Sequence, residues 1–163
     1  MAKTKTTTVT PLGDRVLIRS GLTALDLGGL ALLRELPLYF AFQCGALVSV
    51  RLPPGLEVLG DYAFGECHKL REINLGDVAA LRRIGFGVLC GCDALASATL
   101  PAAVEAIGDC VLCRCGLEEL DVSAVRRLEE GTVVGRFAMN CRGLRRVALP
   151  ALEQHRAAFS AAV

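Results

Sequence analysis

One short pattern recurs six times along these 163 residues, and it limits the chain to a repeat architecture. Leu47-Val-Ser-Val50-Arg-Leu52-Pro53 matches Leu70-Arg-Glu-Ile73-Asn-Leu75-Gly76, Leu95-Ala-Ser-Ala98-Thr-Leu100-Pro101, Leu117-Glu-Glu-Leu120-Asp-Val122-Ser123 and Leu144-Arg-Arg-Val147-Ala-Leu149-Pro150. An earlier copy, Leu22-Thr-Ala-Leu25-Asp-Leu27-Gly28, opens the series. Five of the eight cysteines keep the same beat: Cys44, Cys67, Cys92, Cys115 and Cys141 lie 23, 25, 23 and 26 residues apart. A period in this range is the mark of a solenoid.

The spacing within the unit explains why the coils must stack. The last two apolar positions of each copy are two residues apart and share one face of a strand, while the first Leu sits on the bend leading in. Pro or Gly then ends the strand; Pro53, Pro101 and Pro150 have no N–H to donate. A second apolar segment follows in each of five coils, at 33–36, 56–59, 81–84, 104–107 and 125–128, and three of these run into Gly60, Gly85 and Gly108. One coil cannot bury its own apolar row, whereas stacked coils bury a continuous core. The cysteines then form an inward ladder of small apolar side chains. Their thiols should be free and slow to react, because burial raises a thiol's pKa and blocks access.

The unit resembles the BspA-like class of leucine-rich repeats, whose consensus is approximately L-x-x-[IV]-x-[LI]-P…[LV]-x-x-I-G-x-x-A-F-x-x-C. Leu56-Glu-Val-Leu-Gly60-Asp-Tyr-Ala63-Phe64-Gly-Glu-Cys67 is a nearly complete copy, and Val104-Glu-Ala-Ile107-Gly108 and Phe137-Ala-Met-Asn-Cys141 are partial ones. The resemblance covers about residues 22–150. It departs from more familiar leucine-rich repeats at Gly55, where they place Asn or Cys, and from the Ala-Phe pair at Val88-Leu89 and Val111-Leu112. It implies a leucine-rich-repeat solenoid, mostly β, with a parallel strand ribbon on the concave side and short strands, turns or helical turns on the convex side. The expected organisation is a leader or capping segment over 1–20, about six coils over 21–150 and a capping tail over 151–163. In that tail Leu152, Phe159 and Val163 could share one face of a short helix. The opening Val9-Thr-Pro-Leu-Gly-Asp-Arg-Val-Leu-Ile-Arg19 is similar to the first strand of the ten-kilodalton co-chaperonins. The mobile loop and remaining barrel of that family are missing, so the expected role is an added strand or leader sealing the first coil.

Composition excludes several functions. Eighteen basic and 17 acidic side chains leave a net charge of +1, without the basic excess that nucleic acid or an acidic membrane surface selects. The longest uncharged run, residues 36–50, contains Pro37 and Gln43 and falls short of the roughly 20 apolar residues of a spanning helix. Residues 1–8 lack the apolar core of a secretory signal, so the expected location is cytoplasmic, or the extracellular surface only if a signal once preceded them. The doublets Arg82-Arg83, Arg126-Arg127 and Arg145-Arg146 alternate with Glu105, Glu118-Glu119 and Glu129-Glu130, which suits a solvated mixed face. His68 and His155 have no orienting group at a repeat position, and the glycines make no phosphate-binding pattern. No enzyme activity and no cofactor are expected. Cys90-x-Cys92 and Cys113-x-Cys115 lie one repeat apart and could together offer zinc four thiolates, but structural zinc sites favour C-x2–4-C spacing, and the repeat itself accounts for two of the four.

In a solenoid the variable strand positions face outward and build an extended surface. Here they are Thr23, Ala24, Asp26, Val48, Ser49, Arg51, Arg71, Glu72, Asn74, Ala96, Ser97, Thr99, Glu118, Glu119, Asp121, Arg145, Arg146 and Ala148. The expected binding residues are Arg51, Arg71, Glu72, Asn74, Ser97, Thr99, Glu118, Glu119, Asp121, Arg145 and Arg146. With no stacking aromatics and no positive stripe, this row suits a protein partner and not nucleic acid. The family resemblance implies protein or host-surface binding in general terms. The alternatives are a subunit packed inside a larger assembly and, more remotely, a metal or redox role for the paired C-x-C motifs.

Overall fold

A computed structural model describes residues 12–126, 128 and 136–151. Each Leu-x-x copy forms a short strand: β1 (Ala24–Asp26), β3 (Ser49–Arg51), β5 (Glu72–Ile73), β7 (Ser97–Thr99), β9 (Glu119–Asp121) and β10 (Arg146–Ala148). All pairings are parallel, in the orders β1-β3-β5 and β7-β9-β10. Four of the second apolar segments form a second parallel ribbon of β2 (Glu35–Leu36), β4 (Val58–Leu59), β6 (Arg83–Ile84) and β8 (Ala106–Ile107). The segment at 125–128 carries no strand among the described residues, although Val125 is buried. The result is the expected leucine-rich-repeat solenoid, mostly β. The expected tail helix lies outside the described residues.

The first ribbon is interrupted between β5 and β7 by one residue. Asn74 leaves the strand conformation (φ −85°, ψ 47°) and starts a 3-10 turn over Leu75–Asp77. Its carbonyl accepts the Asp77 N–H at 3.2 Å, so the side-chain Oδ1 takes over the ladder and accepts the Leu52 N–H at 2.7 Å. At the matching place in other coils a backbone carbonyl does this, Arg51 for Leu27 and Asp121 for Leu100. Asn competes with backbone groups for such bonds, which is why it breaks a strand without leaving the donor unsatisfied.

The coil closes through a six-residue turn that repeats at 14–19, 38–43, 61–66, 86–91 and 109–114. Its second, fourth and sixth residues are left-handed; at the non-glycine positions φ lies between 50° and 65°. An L-residue in that region costs roughly 1–2 kcal/mol. Compensation comes from hydrogen bonds between coils. The second and sixth residues donate to the following coil, as Tyr39 to Asp61 (2.8 Å) and Gln43 to Gly65 (2.8 Å). The fourth donates to the preceding one, as Phe64 to Phe40 (2.9 Å) and Leu112 to Val88 (3.0 Å). The left-handed residues thus point their N–H groups alternately up and down the stack, while the N–H groups between them bond within their own coil, as Ala63 to Gly60 and Gly65 to Tyr62. Leaving one of them buried and unpaired would cost about 1–3 kcal/mol, comparable to the strain itself.

That turn explains the cysteine ladder. The residue after it is Cys44, Cys67, Cys92, Cys115 or Cys141, and each thiol donates to the carbonyl of a left-handed fourth residue one coil back. The partners are Leu17 (2.9 Å), Ala41 (3.2 Å), Phe64 (3.3 Å), Leu89 (3.0 Å) and Leu112 (3.1 Å). Cys suits the position because it is small, apolar and still a weak donor. All eight cysteines are free thiols. Residues 14–19 correct an expectation: they are not an added strand but another copy of the turn. It is followed by Ser20, whose Oγ lies 3.3 Å from the Cys44 Sγ, in the ladder position. Arg15 and Arg19 donate backbone N–H groups to Leu38 and Phe42, so the segment does stack on the coil that follows.

The core runs unbroken from Leu27 to Ala138, with Phe40, Phe64 and Phe137 as its largest fully buried side chains. Behind the second ribbon, Gly60, Gly85 and Gly108 let successive coils approach. A Cβ on Gly60 would sit 2.6 Å from the Pro37 carbonyl carbon, and one on Gly108 2.5 Å from the Phe86 nitrogen. Backbone cannot move aside as a flexible side chain would. Gly108→Ala should therefore destabilise the fold by about 1–3 kcal/mol or more. Gly45→Ala, where nothing lies within 4 Å, should stay within about 0.5 kcal/mol; denaturant titration of the pair checks both.

The ladder carries a second expectation. Burial pushes the Cys67 thiol up to about 12, and Cys44, Cys67 and Cys92 are at most 1% exposed. In native buffer at neutral pH these three should react with a soluble thiol reagent only as fast as the protein unfolds, read by mass spectrometry against urea-unfolded protein. Labelling at the unfolded rate would contradict the inward ladder.

Candidate interaction surface

The first ribbon sets a row of inward side chains beneath an outward pair. Leu25, Val50 and Ile73 are in register, as are Ala98, Leu120 and Val147, and they form the floor. Strand alternation then sends their neighbours to solvent. Ala24, Ser49 and Glu72 line up on one side, and Ser97, Glu119 and Arg146 continue at the equivalent place in the later coils. Arg51, Arg71, Glu72, Ser97, Thr99, Glu118, Glu119, Arg145 and Arg146 are all exposed, while Asn74 and Asp121 are half-buried.

Nine of the eleven expected binding residues fall into two groups, with Thr99 and Asp121, paired in register, in neither. Towards the first coils, Arg51, Arg71, Glu72, Asn74 and Ser97, joined by Asp26 and Ser49, surround a shallow depression of about 550 Å³ floored by Leu25, Val50 and Ile73. Towards the later coils, Glu118, Glu119, Arg145 and Arg146 make a charged end. There Arg146 Nη1 lies 2.8 Å from Glu119 Oε1, whereas Glu118 and Arg145 enter no ion pair among the described residues. Arg51 reaches Asp26 only at 4.0 Å. These pairs are more than half exposed, so each contributes about 0–1 kcal/mol to stability and leaves its charges open to a partner.

Two of the residues are already engaged in structure. The Asn74 amide oxygen holds the Leu52 N–H, as described above. Asp121 Oδ1 accepts from the Ser123 N–H (2.9 Å) and Oγ–H (2.6 Å), and Asp26 Oδ1 likewise accepts the Gly28 N–H (2.8 Å). Both aspartates thereby end their strands in an Asx turn.

Other surfaces differ in character. The outward side of the second ribbon holds a larger depression, about 700 Å³, in which Gly60, Gly85 and Gly108 alternate with the charged Glu35, Asp61, Arg83 and Asp109. Its flank pairs Arg34 with Glu57 (3.7 Å) and Arg82 with Glu105 (3.0 Å), a solvated mixed face. On the turns, Tyr39, Phe42, Tyr62 and Phe86 form an aromatic row, with Tyr39 and Tyr62 stacked at 5.0 Å and Arg15 over Tyr39 at 5.8 Å. The concave strand pattern could not reveal this row, although the recurrence of Tyr at the second place of consecutive turns was a signal for it. Asp109 clamps the last turn: its carboxylate accepts from Arg136 Nε (2.9 Å) and Nη2 (2.7 Å), and that bond holds its pKa below the usual aspartate range. His68 is exposed and lies 2.8 Å from Asp93 and 3.5 Å from Glu66.

The four thiols of the C-x-C motifs do not converge. Cys92 and Cys115 are ladder rungs bonded to the preceding coil, while Cys113 donates to the Arg136 carbonyl in the following one. Among the described residues no three His, Cys, Asp or Glu side chains are placed to hold a metal ion.

Comparison with known proteins bears on the whole array. A profile described as a BspA type leucine-rich repeat region (6 copies) matches residues 37–151. A leucine-rich repeat protein from Bacteroides ovatus is 24% identical, with a TM-score of 0.53, over 78% of this chain and 36% of that one. A leucine-rich cell surface protein from Faecalibacterium prausnitzii, also 24% identical, gives a TM-score of 0.65 over 86% and 35%. The chain thus spans about a third of either neighbour, and at this identity the likeness is one of fold. No curated protein matches it.

Proposed function

This chain belongs to the BspA-type leucine-rich repeat family, and we propose that it is a non-catalytic module that binds a protein partner through the outward face of its first ribbon. A repeat of this kind is an interaction or structural unit. The observation that carries the finer reading is the contrast between faces. The first ribbon, in its two three-stranded parts, presents exposed charged and small polar side chains over an apolar floor. The second presents fewer such side chains, Glu35 and Arg83 among them, and the pairs on its flank, Arg34–Glu57 and Arg82–Glu105, are matched within the chain. Unmatched Arg71, Glu72, Glu118 and Arg145 on the first ribbon favour a partner that supplies the opposite charges, since complementary charge fixes register and partner choice.

A second reading rests on a different observation. Leu12, Leu22, Leu30 and Leu32, all in the first turn and coil, are 38%, 39%, 50% and 56% exposed. Apolar exposure of that kind suits a subunit covered by neighbours in a larger assembly. Size-exclusion with light scattering separates the readings, because a monodisperse monomer supports the self-contained binder. No helix among the described residues is long and apolar enough to cross a membrane.

Charge reversal tests the binding face. Arg145→Glu with Arg146→Glu replaces the Arg146–Glu119 attraction by repulsion on a rung in register with Glu119. Stability should fall by no more than about 1 kcal/mol. Affinity for a partner captured by the parent protein should weaken by about 2 kcal/mol or more. Arg82→Glu with Arg83→Glu, on the second ribbon, should leave affinity unchanged in the same titration calorimetry. The reverse pattern would place the partner on another face.

A further inference from the structure

Three thiols stand outside the ladder, and two of them share a turn. Cys110 and Cys113 are the second and fifth residues of the turn at 109–114. The Cys113 N–H bonds to the Cys110 carbonyl at 3.3 Å, closing a four-residue turn whose end Cα atoms approach within about 7 Å. A disulfide needs Cα atoms about 4.4–6.8 Å apart. Side chains at these two places touch elsewhere in the repeat: in the turn at 38–43, the rings of Tyr39 and Phe42 meet with centroids 5.1 Å apart. Repeat register therefore turns the two thiols towards each other. They also differ in access, as Cys110 is half-buried and Cys113 only 2% exposed.

We propose that Cys110 and Cys113 are a redox-active dithiol that exchanges two electrons with a small-molecule disulfide of the glutathione type. The more open Cys110, as thiolate, attacks one sulfur of the oxidant; the oxidant's S–S bond breaks, and one thiol departs with the proton Cys110 gave up. Cys113 then attacks the Cys110 sulfur of the mixed disulfide, and the second thiol departs with the Cys113 proton. The protein pair is oxidised to a disulfide and the small disulfide is reduced to two thiols. Burial pushes Cys113 up to about 12 and keeps it a thiol at neutral pH, so the first attack falls to the more open Cys110, and the resolving step relies on Cys113 lying next to the mixed disulfide. Closure removes the proton that Cys113 donates to the Arg136 carbonyl, so the redox state of the pair reaches the contact between this turn and the last one. The ladder thiols each donate to a carbonyl of the preceding coil and stand apart from this pair.

The test equilibrates the full chain in glutathione buffers from reducing to oxidising, quenches with acid and blocks the remaining thiols. Cleavage by trypsin and an Asp-specific protease then isolates residues 109–114. The expected result is loss of both thiols of that peptide in oxidising buffer, with an internal disulfide, while Cys44, Cys67 and Cys92 remain blocked as free thiols. Cys113→Ser should stop at a glutathione adduct on Cys110, and Cys110→Ser should leave Cys113 a thiol. Both thiols of 109–114 staying free at every buffer ratio would overturn the proposal. So would a bond joining Cys90, the fifth residue of the preceding turn, to either of them.

Discussion

The structure depends on a turn in which every second residue is left-handed. The left-handed residues send their N–H groups alternately to the following and the preceding coil, at 2.7–3.1 Å, and so stitch the turns together. The cost is conformational strain at non-glycine positions such as Tyr39, Phe64 and Leu112. It is tolerable only where coils lie on both sides to accept the bonds, so a single turn has no reason to hold this shape alone. The ladder cysteines complete the arrangement by filling the position where a left-handed residue exposes its carbonyl to the next coil. Gly60, Gly85 and Gly108 serve the same end on the second ribbon, because coils tied this closely leave no room for a Cβ.

Stacking at this closeness also decides what is left for function. The interior is filled by Leu, Val, Phe and Cys, and the second ribbon is flattened by its glycines. The turns carry an aromatic row over Gly65 and Gly87, whose backbone lies against the Phe42 and Tyr62 rings. Among the described residues, the first ribbon carries the longer row of exposed, chemically varied side chains. Even there, Asn74 and Asp121 are partly committed, one to a ladder bond and the other to a strand end.

The strands were legible because Leu-x-x-Leu-x-Leu binds a spacing to a face, and six copies fixed their places from β1 to β10. The inward cysteines were legible for the same reason, but their donor role was not, since composition shows a small apolar residue and not the carbonyl opposite. At residues 14–20 a turn stands where a strand is one expectation, because Val16-Leu-Ile18 is a β-rich run and Ser20 hides the ladder position. A left-handed backbone leaves no mark on such side chains. Asn74 occupies an outward position by spacing, and that its amide replaces a backbone acceptor follows only from the folded backbone. The charged row on the first ribbon was readable as exposed. Which of its charges pair within the chain followed from register, as with Glu119 and Arg146, and not from composition.

Native-state hydrogen exchange at the fourth residues of the turns tests this account most directly. The amides of Phe64, Leu89 and Leu112 each bond to the preceding coil, at 2.9, 3.1 and 3.0 Å. If inter-coil bonding holds the stack as one body, these amides should exchange only through global unfolding, with the same free energy and the same denaturant dependence. Exchange of Phe64, Leu89 or Leu112 through local opening, well below the global free energy, would contradict it.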